Sequence, residues 1–281
     1  MVFLGSPPAA ATALRALHSA GHEVALVVTR PDKRRGRGNT TSPTAVAQAA
    51  GELGLTATSD IAEAKAAGAE LGVVVAYGRI IKPDILAALP MVNIHFSLLP
   101  RWRGAAPVER AILAGDEVTG VCLMDVEEGL DTGAVYRRRE VAIGPEETAA
   151  QLTARLAEVG AGLLVTALEE GLGEPVPQQG EPTYAAKIEA EDLHLDWARP
   201  ALDLHRIVRV GRAWTTWKGR RLLVLEASPA EAPGGPPGTV SGDVVAAGTG
   251  GLRLVTVQPE GKRAMPAADW LRGAGTPLQL G

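Results

Sequence analysis

Short β-branched apolar runs recur through the first third of the chain, at residues 2–4, 24–28, 71–76 and 91–94. Alanine-rich segments of helical length separate them, and this alternation predicts an α/β fold with a mostly parallel sheet, a Rossmann-like layering of helices on strands. Residues 8–20 and 43–53 read as the first two covering helices, the second with Ser42 as N-cap and Pro43 in its first turn. Pro107 opens a helix through Leu113, residues 146–168 form a long amphipathic one, and a further apolar run covers 121–126. Open α/β sheets bind ligands beyond the carboxyl ends of their strands. Asn93, His95 and the loop after Ala76 all fall at that edge.

Periodicity ends after Glu170, where residues 171–182 are rich in proline and glycine and read as a linker. The expected domains are therefore a catalytic one over 1–170, a linker over 171–187, and a second domain over 188–281. In the last of these a helix at 200–210 precedes short runs at 222–226, 238–240, 243–246 and 252–257, broken by turn residues. That spacing predicts a small β-barrel.

A length of 281 residues with 46% hydrophobic and 21% charged content fits a globular enzyme of two domains. The single cysteine, Cys122, lies inside an apolar run and reads as core packing in a reducing compartment. No apolar stretch approaches the roughly 20 residues that cross a bilayer, and the first residues lack a basic signal-peptide region, so the cytoplasm is the expected location and no membrane the expected partner. The net charge of -4 hides two basic stretches. Arg30, Lys33, Arg34, Arg35 and Arg37 cluster in a loop with Pro31, Gly36 and Gly38, and Arg199, Arg206, Arg209, Arg212, Lys218, Arg220 and Arg221 lie among Trp197, Trp214 and Trp217. They read either as two contacts for a polyanion or as a solvated, arginine-rich surface.

Candidate chemistry concentrates in three segments. Asn93-Ile94-His95 closes an apolar run and leads into Ser97-Leu98-Leu99-Pro100; Arg103-Gly104-Ala105-Ala106-Pro107 follows; Gly129-Leu130-Asp131-Thr132-Gly133 comes after the next run. Singly, His95 reads as a strand-end histidine, Asn93 as a cap or turn residue and Asp131 as a turn former. Together they supply an amide donor, a proton carrier and a carboxylate to orient it. That set suits acyl-level transfer, in which an amine attacks a carbonyl and an oxyanion develops. A dinucleotide loop is not expected, because Pro7 and Ala10 stand where the second and third glycines of GxGxxG would be. Nor is a metal expected, since no His or Cys residues pair at ligand spacing, and Ser97 lacks a nucleophile elbow.

At Asn-x-His, Ser-Leu-Leu-Pro and Leu-Asp-Thr-Gly the chain resembles the folate-dependent formyltransferase superfamily. Arg103 to Pro107 and Gly261-Lys262-Arg263-Ala264-Met265 favour its tRNA branch over the branches that formylate glycinamide ribonucleotide or sugar nucleotides. The resemblance implies a Rossmann-like formyltransferase domain with an OB-like C-terminal barrel, and transfer of a formyl group from 10-formyltetrahydrofolate to the α-amino group of methionyl initiator tRNA. It implies Asn93, His95 and Asp131 as the catalytic triplet. It implies folate contacts at Tyr77, Gly78, Arg79, Ile80, Ser97, Leu98, Leu99, Pro100, Gly129 and Leu130, dominated by backbone. tRNA contacts are implied at Lys33, Arg34, Arg35 and Arg37 in a basic loop entering the acceptor stem, and at Arg206, Arg209, Lys262 and Arg263 of the second domain. A monomer is expected. The chain departs from the family pattern at Phe96, where a glycine is common, and over 209–217, which lacks an Asn-Pro-Trp-Pro-like element.

Overall fold

The computed structural model describes residues 1–34, 41–275 and 279–281. The chain forms two compact units, one of Met1–Val108, Val118–Ala142 and Leu152–Ala186, the other of Glu109–Glu117, Ile143–Gln151 and Lys187–Gly281.

The first unit is built on a seven-stranded sheet in the order Val135–Ala142, Val118–Asp125, Met91–His95, Gly72–Val75, Val2–Gly5, Leu26–Val28, Ala57–Thr58. The five strands from Met91–His95 to Ala57–Thr58 run parallel, as continuous apolar runs predict for strands covered on both faces. Val118–Asp125 pairs antiparallel with Met91–His95, and Val135–Ala142 pairs antiparallel with Val118–Asp125, extending the sheet beyond the strand that carries Asn93 and His95. Val2, Phe3 and Leu4 at the centre are wholly buried.

Helices cover this sheet at Pro8–Ser19 and Ala45–Glu52. The cap of the second is Thr44, not Ser42: its hydroxyl accepts from Ala47 N at 3.0 Å. Ser42 instead belongs to a short strand, Thr41–Ser42, paired with Lys33–Arg34. The long helix begins at Ala149, three residues later than its amphipathic pattern, because Thr148 and Gln151 cap it reciprocally through Thr148 N to Gln151 Oε1 (2.9 Å) and Gln151 N to Thr148 Oγ1 (3.3 Å).

Residues 171–186, expected within a linker, are packed into the first unit. Val176 makes an antiparallel bridge to Val135, and Tyr184–Ala185 pairs in parallel with Arg103–Gly104. Pairing of this kind uses main-chain groups, so a segment without hydrophobic period can still be fixed.

The second unit holds an antiparallel sheet in the order Ala213–Trp217, Arg220–Ala230, Gly251–Pro259, Val244–Ala246, Val240–Ser241, with Met265–Pro266 added beside Gly251–Pro259. Among the described residues this path runs open from its first strand to its last. Helices Ala201–Val210 and Ala267–Ala274 bury Leu204, Ile207 and Trp270 in a core with Trp197, Val224 and Leu254. The Trp197 indole satisfies its N–H on Thr215 Oγ1 at 2.9 Å inside that core. No helix among the described residues is long and apolar enough to cross a membrane.

Candidate active site

Side chains two residues apart on a strand share a face, so Met91–His95 sends Asn93 and His95 to the same side of the sheet at its carboxyl end. The antiparallel neighbour fixes them in register, Asn93 opposite Met124 and His95 opposite Cys122. Cys122 is wholly buried, and burial pushes its thiol above the ordinary range.

The His95 ring is 6% exposed, and both its nitrogens are placed. Nε2 lies 2.9 Å from the carbonyl oxygen of Trp102; a carbonyl only accepts, so Nε2 carries the hydrogen. Nδ1 faces Asp131 Oδ2 at 3.7 Å, an ion-pair distance longer than a hydrogen bond. The same Oδ2 accepts from Gly104 N at 2.7 Å. Asn93 is half-buried, and its side-chain amide has no hydrogen-bond partner among the described residues. The triplet thus combines a free amide donor, an imidazole fixed on one nitrogen, and a carboxylate beside the other.

Asp131 sits at φ 51, left-handed backbone that few non-glycine residues adopt. Glycines make room around it. A Cβ on Gly133 would stand 2.0 Å from the carbonyl oxygen of Asp125, and one on Gly104 would stand 2.8 Å from that of Ala185.

The other expected ligand contacts divide by exposure. Ile80 and Leu130 are 91% and 63% exposed, large apolar side chains on loops beyond the strand ends. Gly78, Arg79 and Gly129 are exposed as well, and Leu98 and Pro100 are half-buried. Tyr77, Ser97 and Leu99 turn inward, so only their main chain can meet a ligand. The Tyr77 ring is 2% exposed in the core of the first unit, Leu99 packs with Cys122, Met124 and Val135, and Ser97 Oγ donates to Arg101 O at 2.6 Å. Ser97 is a loop fastener rather than a nucleophile. Phe96, bulky where the family pattern has glycine, is buried.

Several residues at the site escaped the sequence reading. Thr183 Oγ1 accepts from Trp102 N at 2.8 Å, Gln178 bonds both Arg103 and the Asp131 turn, and Arg30 donates through Nε to Tyr77 O at 3.1 Å and through Nη2 to Gly78 O. A cleft of about 320 Å³ is lined by Arg30, Pro31, Asp32, Gly78 and Arg79. Only Arg30 had a signal in the sequence, as part of a basic cluster, and that signal suggested a surface charge rather than a brace. Among the described residues no three His, Cys, Asp or Glu side chains gather in a group that could hold a metal ion.

The basic residues also divide. Arg35 and Arg37 lie outside the described residues. Lys262 and Arg263, on the Gly251–Pro259 to Met265–Pro266 hairpin, are exposed and have no carboxylate partner among the described residues. Arg206 and Arg209, expected on the same nucleic-acid surface, are half-buried and bonded within the second unit. Arg206 pairs with Asp203 at 2.9 Å, and Arg209 donates to Glu147 O at 2.9 Å and Gly144 O at 2.8 Å. Burial lowers the Arg209 pKa from its ordinary value. Beside them the buried His205 meets Glu146 at 3.1 Å, and burial outweighs that carboxylate to push the imidazole below its usual value. Arg221 lies over the Trp214 ring at 4.4 Å, with His194 at 4.5 Å from the same ring.

Residues 1–168 match the formyl transferase family and residues 187–275 match the formyl transferase C-terminal domain. Methionyl-tRNA formyltransferase of Dinoroseobacter shibae is 44% identical over 100% of this chain and 99% of its own length. In fold, the chain resembles methionyl-tRNA formyltransferase from Clostridium thermocellum, with a TM-score of 0.62 at 17% identity over 81% of this chain and 91% of that one. It also resembles HypX from Aquifex aeolicus in complex with tetrahydrofolic acid, with a TM-score of 0.69 at 19% identity over 96% of this chain and 46% of that one.

Proposed function

We propose, for a chain that belongs to the methionyl-tRNA formyltransferase family, that it transfers the formyl group of 10-formyltetrahydrofolate to the α-amino group of methionyl initiator tRNA. The observation that carries this reading is the cluster of Asn93, His95, Asp131 and the Gly104 amide at one strand end, in a chain similar along its whole length to proteins of that name.

The amine nitrogen attacks the formyl carbon, a C–N bond forms, and the carbonyl electrons move onto oxygen. The Asn93 amide, without a hydrogen-bond partner among the described residues, donates to that oxyanion. His95, held at Nε2 by the Trp102 carbonyl, takes the amine proton on Nδ1, where the Asp131 carboxylate meets the charge. Collapse of the tetrahedral adduct breaks the bond to N10 of the folate, and the proton returns to that nitrogen as tetrahydrofolate leaves. Holding the two substrates together supplies much of the remaining acceleration. Main-chain groups of Tyr77 to Ile80, Ser97 to Pro100, Gly129 and Leu130 receive the folate, with Ile80 and Leu130 giving apolar cover. Lys262 and Arg263, with Lys33, Arg34, Arg35 and Arg37, take tRNA phosphates. The enzyme acts in the cytoplasm as a monomer.

The test is to incubate the protein with 10-formyltetrahydrofolate and, in parallel, methionyl initiator tRNA, free methionine or an amino sugar nucleotide. Formyl transfer to the charged tRNA alone is the expected result. Transfer to the sugar nucleotide instead would overturn the acceptor assignment.

A further inference from the structure

The Gln178 side chain uses every hydrogen-bonding group it has on the catalytic edge. Its Nε2 donates to Asp131 O and Gly133 O, both at 2.8 Å, and its Oε1 accepts from Arg103 Nε at 3.0 Å and Arg103 Nη2 at 2.7 Å. Among the described residues nothing else bonds those two carbonyls. The turn they belong to carries Asp131 at φ 51, a left-handed conformation that persists where its surroundings hold it. The opposite end of the amide grips Arg103, and the next residue, Gly104, donates its N–H to Asp131 Oδ2. One side chain therefore ties the backbone of Asp131 to the strand that meets its carboxylate.

We propose that Gln178 is a positioning residue for transfer, holding the Asp131 turn so that the carboxylate stays beside His95 Nδ1. The inference rests on Asp131 acting in the reaction as set out above. Gln178 reaches from a segment with no hydrophobic period, and it touches neither reacting group directly. Its action is geometric: a shift of about 1 Å in a catalytic group can cost about 100-fold in rate.

Gln178→Glu is the informative substitution. The isosteric carboxylate still accepts from Arg103 but can no longer donate to the two carbonyls. Turnover is expected to fall about 10- to 100-fold, with KM for charged tRNA within about twofold. Gln178→Ala should behave alike. In an Asp131→Asn background, Gln178→Glu should change turnover by less than about twofold, because coupled residues are non-additive. Near-wild-type turnover in Gln178→Glu beside a collapsed Asp131→Asn would overturn the inference alone, as would an equal fall in both backgrounds. Full activity in Asp131→Asn would overturn the reading of the triplet, and the inference with it.

Discussion

In the first unit, His95 and Asp131 are largely covered and bonded by Trp102 O and Gly104 N, groups on one short segment that is itself fastened to Thr183 and Gln178. In the second, Lys262 and Arg263 stand exposed at a hairpin without a carboxylate partner among the described residues, while Arg206 and Arg209 of the basic stretch over 199–221 are bonded to Asp203, Glu147 and Gly144. Catalytic chemistry needs groups held to fractions of an ångström, which takes a shell of fixed partners. Phosphate binding needs charge in reach of solvent, and an arginine already bonded internally offers little of it. The same residue type thus serves opposite ends: Arg209 builds the second unit and Arg263 is available to a polyanion.

Substitutions that separate the two kinds of site sharpen this contrast. The largest effects are expected at His95 and Asn93; Asn93→Ala removes a donor to the oxyanion. Such a loss costs about 2.7–4 kcal/mol, a fall in kcat of hundreds to thousands with little change in melting temperature, checked by steady-state formyl transfer beside thermal unfolding. Next come the arginines. Arg263→Ala should lower the slope of log affinity for tRNA against log salt by about 1. Arg209→Ala should leave that slope unchanged and lower stability by about 1–3 kcal/mol, since two carbonyls lose their donor. A lowered salt slope in Arg209→Ala would break the distinction drawn here.

A smaller effect concerns pH. Because burial depresses the His205 pKa in the folded chain, the unfolded chain binds a proton more readily. Stability from this group is present above the ordinary histidine value of about 6.5 and is lost as pH falls through the depressed one. Denaturant midpoints measured from pH 8 to pH 5 should decline below about 6.5, and His205→Gln should flatten that decline. The smallest perturbation tests the floor of the catalytic strand: Cys122, buried and with its thiol pushed up, should resist iodoacetamide at pH 8 in the native protein and react fully once unfolded. Rapid native labelling would show that the edge breathes.

Much of the first unit is legible in the sequence because its determinants are local. Apolar runs mark the parallel strands, and Asn93 with His95 follows from two-residue spacing on one of them. Asp131 needs only its flanking glycines to stand out. What stays hidden is the shell. Trp102 N finds Thr183 across 81 residues, and Gln178 finds Arg103 across 75 and Asp131 across 47. The shell also ends on main-chain atoms at Trp102 O and N and at the carbonyls of Asp131 and Gly133, which leave no trace in residue type. The same blindness explains the supposed linker, fixed by strand pairing at Tyr184–Ala185. Thr44 displaced Ser42 as helix cap because Thr41–Ser42 pairs with Lys33–Arg34, a tertiary pairing with no local signal. Composition also does not say which guanidinium groups are bonded within the unit, as those of Arg206 and Arg209 are.

The most direct measurement is single-turnover formyl transfer from 10-formyltetrahydrofolate to methionyl initiator tRNA, with tRNA affinity determined in parallel, for wild type, His95→Ala and Arg263→Ala. His95→Ala is predicted to lose rate by hundreds-fold or more, of the order of about 10²–10⁴ for a proton carrier, at unchanged tRNA affinity. Arg263→Ala is predicted to bind tRNA more weakly at an unchanged rate once tRNA saturates. A near-wild-type rate in His95→Ala would contradict catalysis at this strand end.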